Sequence, residues 1–235
     1  PLYKHLRASY PHKYSGWKLP TPMMNVVNGG VHADSGMNIQ EFMLVPHANR
    51  FADQVRIGSE VFHTLKSLLK KDGFAVSVGD EGGFAPHLGR NSKALEYMAL
   101  AVKGAGYRLG KDVSFALDPA ASEFHSKGRY TFDEKKLSGY QLTQIYKRWA
   151  KKYPLISIED GLAEDDWVGW QLHTRELGEK MMLVGDDLFV TNKARLDVGV
   201  DKGVANAILI KLNQVGSLTE TMETIATARK AGYKV

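Results

Sequence analysis

The sequence predicts an α/β fold, a barrel of the TIM type, on three observations. Short apolar runs alternate with amphipathic helical stretches along the chain, which is the pattern of a parallel sheet. The runs are almost continuously apolar, so both faces of that sheet are covered. The last four runs end at charged residues, and in a barrel such ends meet at one mouth, where active sites lie. No Gly-x-Gly-x-x-Gly turn follows any run, so a dinucleotide-binding fold has no support.

The elements follow in order. "MMNVVNGG" (23–30) and "IQEFMLVP" (39–46) read as strands joined by a Gly-rich loop. Over 51–71, Val55, Val61, Phe62, Leu65, Leu68 and Leu69 fall on one helical face, with Gly73 as the stop. "AVSVGDEGGFAP" (75–86) is a short strand or an extended loop. A second helix starts near Asn91 or Ser92 and ends at Gly104 or Gly106. Four strand–helix pairs then come in a row. "VSFALD" (113–118) precedes a helix opened by the capping box Ser138…Gln141. "LISIED" (155–160) precedes a helix closed near Gly178, and "MMLVGDD" (181–187) one that begins around Asn192. "NAILIKLNQ" (206–214) precedes a helix with the capping box Ser217…Glu220, closed at Gly232. The chain stops at "GYKV" where another strand is expected, so the barrel is read as truncated.

Composition limits the chemistry. The 235 residues carry a net charge of +5, with 43% hydrophobic and 24% charged residues, ordinary values for a globular protein. There is no cysteine, which excludes disulfides and thiol catalysis and leaves carboxylates or histidines to hold any metal. No apolar run reaches the length of a membrane span, and the start has no signal-peptide pattern. A cytoplasmic location is expected. The densest basic stretch, "YKRWAKKY" (146–153), places Lys147, Arg148, Lys151 and Lys152 around Ile145 and Trp149. It reads as a solvated helix face, and no nucleic-acid partner is expected.

The last four strand ends supply Asp118, then Glu159, then Asp186 with Asp187, then Lys211. Each acid alone would read as a helix cap or a solvated loop. Together they converge. Two carboxylates about 5 Å apart at an effective dielectric of about 20 repel by roughly 3 kcal/mol. Three such pairs cost on the order of 10 kcal/mol, as much as a typical domain's whole stability. Converging acids therefore take up protons or bind a cation, and hard oxygen donors select Mg²⁺ over Zn²⁺. Lys211 interrupts the apolar run "AILIKL", and a buried lysine needs a partner or a lowered pKa. Asp165 and Asp166 precede Trp167 at a helix start, where carboxylates meet unpaired N–H groups. His32, in the loop 28–42, is either incidental or part of a loop that closes over a substrate. Asp80 reads as part of an acidic turn. Its neighbour Glu81 precedes Gly82 and Gly83, which permit close approach of backbone to a ligand.

These segments together resemble enolase. The motifs that match are "PMMNVVNGGVHAD", "IQEFM", "VGDEGGFAP", "ALDPAASEF", "SIEDGLAEDDW", "LVGDDLFVTN" and "LIKLNQVGSLTET". They run in the family's order from about Leu19 to Val235. The resemblance implies an enolase-type barrel of ββαα(βα)6 order with an antiparallel second strand. Here 23–28 and 40–46 are the first two strands, and Tyr233 starts the seventh. It implies Mg²⁺-dependent, reversible dehydration of 2-phosphoglycerate to phosphoenolpyruvate, in glycolysis and gluconeogenesis. By resemblance Asp118, Glu159 and Asp186 are metal ligands and Lys211 is the general base. Glu81 assists departure of the C3 hydroxyl, with Glu41 as its partner carboxylate and Gln40 beside it. His32 matches the mobile-loop histidine near the substrate phosphate. A Lys base beside divalent ions is the established pattern of that superfamily, not a deduction from spacing.

The match has departures. Asn38 stands where the family usually carries Asp, and Pro119 where a small residue or Cys is common. Residues 1–235 are expected to be part of the C-terminal catalytic domain. The small N-terminal domain, the last two strands, the Ser-His-Arg-Ser motif and a carboxylate-binding lysine are expected to lie outside them. Such a fragment is expected to be inactive alone, and the complete chain to form a homodimer. The partner is a small phosphorylated carboxylate. Two alternatives stay open: a non-catalytic enolase-like protein, and a superfamily relative acting on another carboxylate acid.

Overall fold

In the computed structural model, residues 1–10, 16–33, 35–79 and 81–235 are described. Residues 11–15, Asp34 and Asp80, with the side chain of His32, lie outside that description. The chain opens with α1 (Leu2–Ser9), which buries none of its residues. Then come β1 (Met24–Asn28), β2 (Glu41–Pro46), α2 (Phe51–Lys71), α3 (Asn91–Gly104) and β3 (Val113–Asp118). A small antiparallel sheet follows, made of β4 (His125–Ser126), β5 (Arg129–Phe132) and β6 (Lys135–Leu137). The remainder alternates: α4 (Gly139–Lys152), β7 (Leu155–Glu159), α5 (Trp167–Leu177), β8 (Met182–Gly185), α6 (Lys193–Lys202) and β9 (Ala207–Ile208). It ends with α7 (Leu212–Val215) and α8 (Leu218–Lys230).

The main sheet has the order β1-β2-β3-β7-β8-β9. β2 is antiparallel to both neighbours, and β3, β7, β8 and β9 are parallel. This is the two-strand, two-helix opening and strand–helix alternation expected from the sequence. Beyond β9, Lys234 forms a parallel bridge to Ala207. Among the described residues β1 and β9 remain the edges of this sheet, so it is not a closed barrel. No helix among them is long and apolar enough to cross a membrane.

The helices pack as their sequences dictate. α2 buries Ile57, Gly58, Val61, Leu65 and Leu69, at the three- and four-residue spacing of one helical face. Val55, expected on that face, is exposed, and Ile57 takes its place. A Cβ on Gly58 would stand 2.1 Å from the Met24 sulfur, so glycine lets α2 approach β1. The Ser138–Gln141 capping box is complete on α4. On α8 the Ser217 hydroxyl accepts the Glu220 N–H but donates to the Glu220 carboxylate, so that box is half formed. In the basic stretch of α4, Tyr146 is buried and Trp149 packs on the core. Lys147 and Lys152 turn outward to Glu176 and Glu96, which makes this a solvated face.

One expected strand is corrected, and one open choice is resolved. Residues 206–214 form a strand only at Ala207–Ile208, and Lys211 is the N-cap of α7. The Leu209 N–H still reaches the Gly185 carbonyl, but the Lys211 N–H is drawn off by the Thr191 hydroxyl. The 75–86 segment is a loop. It is held by isolated bridges of Phe84 to Val27 and Val78, and by a turn in which Gly79 and Gly83 pack on the Asn28 side chain.

Asn38 belongs to a polar knot. The buried Asn91 side-chain oxygen accepts the N–H groups of Asn38 and Ile39, and its amide donates to Asn38 and Asp133. Asn38 in turn accepts the Asp133 N–H and donates to the Thr131 carbonyl. The knot ties the 29–40 loop to α3 and to the β5–β6 turn. Asn91→Ala leaves two backbone donors without their acceptor, at about 1–3 kcal/mol each. The expected loss in urea unfolding is roughly 2–4 kcal/mol, and a loss under about 0.5 kcal/mol would show that solvent replaces these bonds.

Candidate metal centre

Parallel strands that end in acid bring that acid to one edge of the sheet. β3 ends at Asp118, β7 at Glu159, and Asp186 directly follows β8. Ala116 pairs with Ser157, Leu117 with Ile158 and Glu159 with Val184, so the ends stay level. β2 runs the opposite way, so its first residue arrives at the same edge. Glu41 pairs there with Asp118 on one side and Asn28 on the other.

Ligand oxygens of Glu159, Asp160 and Asp186 lie within 4.8 Å of one another. Asp160 is the member that sequence reasoning did not single out. It has a positive φ of 39°, a conformation that Asp tolerates better than most residues. That turn aims its carboxylate back at the next strand end. One oxygen accepts the Asp186 N–H at 3.1 Å and the Leu188 N–H at 3.4 Å, and the other the Asp187 N–H at 2.7 Å. With both oxygens engaged by backbone, Asp160 serves to fix the Asp186 loop. The signal for it was an Asp directly after Glu159, at the point where the strand must turn.

Asp118 lies beside this cluster and outside its 4.8 Å limit. One of its oxygens accepts the Ala120 N–H at 2.9 Å. Burial, then Asp160 and Glu41, hold its carboxyl well above the usual carboxylate range. Burial, with Asp118, Asp160, Asp186 and Glu41 nearby, pushes the Glu159 carboxyl up to about 10. Burial raises Asp160 to about 7 despite the backbone N–H groups. These are the marks of acids buried together, with burial the larger cause and neighbouring charge the lesser.

Lys211 faces the acids. Its ammonium donates to one Asp186 oxygen at 2.5 Å, and Gln214 donates to the other at 2.6 Å. The Lys211 side chain is 48% exposed, so it is not the buried lysine expected from "AILIKL". Burial lowers its pKa, but the bond to Asp186 and the nearby acids outweigh this and the net shift is upward. Asp166 caps α5 through the Gly169 N–H and accepts the Tyr130 hydroxyl. Asp165 points outward to Arg195.

The other candidates stand around this edge. The Gln40 N–H donates to the Asp118 carbonyl, and its own carbonyl accepts from Gly29. Glu81 is exposed on the 79–83 turn that rests on Asn28. Asn28 pairs with Glu41, so this turn borders the Glu41 strand end. The His32 backbone lies in a single 3-10 turn, Gly30–His32, and its side chain lies outside the described residues. Sequence reasoning missed Gln214 and Thr191. The available signal for Gln214 was its position three residues after Lys211, which places both on one turn of helix.

The donor set fits a hard divalent cation: carboxylate oxygens from several strand ends, with no thiol and no described imidazole among them. Residues 16–235 match the family described as "Enolase, C-terminal TIM barrel domain". The chain is 52% identical over 234 residues to an enolase of Elusimicrobium minutum (strain Pei191). The match covers 99% of this chain and 55% of that protein, so the chain spans about half the length of the curated relative.

Glu159 sets the pH dependence. Its pKa is about 10 in the fold against an ordinary 4.5, so over that window the folded state holds a proton that the unfolded state has lost. Stability without metal therefore falls as pH rises through this range. A divalent ion held by Glu159 would have to displace that proton, and its affinity would rise with pH. Calorimetric titration with Mg²⁺ at about pH 6 and about pH 8 is expected to show tighter binding and proton release at the higher pH. Equal affinity at both would contradict a protonated Glu159.

Proposed function

The chain belongs to the enolase family, and on that premise we propose that it forms part of the catalytic barrel of an Mg²⁺-dependent hydro-lyase. Its reaction is the reversible dehydration of 2-phospho-D-glycerate to phosphoenolpyruvate. Residues 1–235 supply the barrel strands that carry the acids and the base. The rest of the complete chain supplies a small N-terminal domain and further strands, so residues 1–235 alone are inactive. The observation that carries the reading is the Lys211 ammonium, 2.5 Å from Asp186, at an edge where acids from separate strands converge.

Asp118, Glu159 and Asp186 are the proposed ligands. Among the described residues each keeps at least one oxygen clear of backbone donors, unlike Asp160. When bound, Mg²⁺ supplies positive charge that stabilises the carboxylate of the substrate as charge builds there. Lys211 is the proposed base at C2. A cation among the acids removes the field that now raises the Lys211 pKa, and so favours the neutral amine. Proton removal gives an enediolate. Glu81, with Glu41, then delivers a proton to the departing C3 hydroxyl. By resemblance Gln40 and His32 are proposed substrate-binding residues, with His32 serving the phosphate. The homodimer and the cytoplasmic location remain part of this proposal.

Lys211→Ala tests the central role. In the complete natural chain it is expected to lower phosphoenolpyruvate formation by about 10²–10⁴-fold or more, with Mg²⁺ affinity kept within a few-fold. Turnover is followed by absorbance, with unphosphorylated hydroxy acids as controls. Substantial residual turnover would assign the base elsewhere, and preference for an unphosphorylated acid would favour a superfamily relative.

A further inference from the structure

The Asp186 carboxylate and the Lys211 amine are joined a second way, through the protein. The Lys211 backbone N–H donates to the Thr191 hydroxyl oxygen at 2.9 Å, and that hydroxyl donates to the Gln214 side-chain oxygen at 2.7 Å. The Gln214 amide nitrogen donates to Asp186 at 2.6 Å, and the Lys211 ammonium closes the ring on the other Asp186 oxygen. Asp186, Gln214, Thr191 and Lys211 thus form a closed circuit across two loops.

The circuit has one sense. A hydroxyl has a single proton to give. Asp186 as a carboxylate can only accept, so Gln214 turns its NH₂ end to it, and the amide oxygen on the other side takes the Thr191 proton. Thr191 is fully buried, and both it and Val190 adopt left-handed backbone, with φ of 52° and 44°. β-branched residues rarely take that conformation. It is held here by the Val190 N–H on the Asp186 carbonyl at 2.6 Å, and by the Thr224 hydroxyl on the Thr191 carbonyl at 3.0 Å. The conformation puts the Thr191 hydroxyl between Lys211 and Gln214.

We propose that Thr191 and Gln214 are positioning residues: they fix the rotamer of the ion-binding Asp186 and hold the backbone of the base, Lys211, in register with it. This rests on the hydro-lyase reading above and deepens it. With an ion present the Lys211 ammonium has to leave Asp186. Gln214 keeps one oxygen of that carboxylate in place while the other turns to the metal, and Thr191 keeps Lys211 within reach of the substrate.

The test uses the complete natural chain with Mg²⁺ as the titrant, followed by calorimetry, alongside the metal-free melting temperature. Asp186→Asn is the control. Gln214→Ala is expected to weaken Mg²⁺ binding about tenfold or more with little change in metal-free melting, since Gln214 sits on a short, partly exposed turn. Thr191→Val is expected to match Gln214→Ala, and Thr191→Ser to bind within about twofold of the parent because it keeps the hydroxyl. The double variant is expected to be no worse than the worse single one, as members of one chain of bonds are not additive. If Asp186→Asn weakens binding and Gln214→Ala does not, the positioning role is overturned and the metal site stands. If neither variant weakens binding, the ligand assignment falls, and the positioning role with it.

Discussion

Mutual repulsion among acids at one edge of the sheet is the constraint on which the rest of this structure depends. Burial, and with it the charges of Asp118, Asp160 and Asp186, makes Glu159 hold its proton to about pH 10. An assembly like this is unstable as four anions, so every nearby donor is recruited to it. Backbone N–H groups of 186, 187 and 188 converge on Asp160. The Ala120 N–H serves Asp118, and Lys211 and Gln214 share Asp186. A cation bound among them relieves the same repulsion, and the catalytic reading follows from that electrostatic need.

Strand direction makes the convergence. Parallel β3, β7 and β8 deliver their last residues to one edge, while antiparallel β2 delivers its first. Glu41 therefore joins the acids from the opposite chain direction, opposite Asp118. The Asn28–Gly79–Gly83 contact then sets the Glu81 turn beside it. The polar knot at Asn38 and Asn91 fixes the far end of the 29–40 loop. Asn38, a departure from the family pattern, is occupied in that knot.

Much of this was legible in the sequence, because it rests on local signals. The alternation of apolar runs and helices, the Ser138–Gln141 box and the Asn192 cap all describe what the chain does within a few residues. The strand-end acids were legible because charge after an apolar run is rare enough to notice. What was missed depends on contacts between distant segments. Lys211 reads as strand because "AILIKL" is apolar, yet its N–H is claimed by Thr191, twenty positions earlier. The β4–β6 sheet went unread although β5 alternates exposed and buried residues, with Tyr130 and Phe132 inward. Its strands are too short for periodicity to separate them from loop. Asp160 was not singled out, and only its bonds to the loop after β8 show it to be an anchor.

The account is tested most directly by locating the ion. Crystals of the complete protein soaked in Mn²⁺, a stand-in for Mg²⁺ with an anomalous signal, are expected to show one strong peak. Oxygens of Asp118, Glu159 and Asp186 should lie about 2.0–2.3 Å from it, with the Lys211 amine withdrawn from Asp186. A peak held by Asp160 in place of Asp118, or a Lys211 amine still bonded to Asp186 beside the metal, would contradict it.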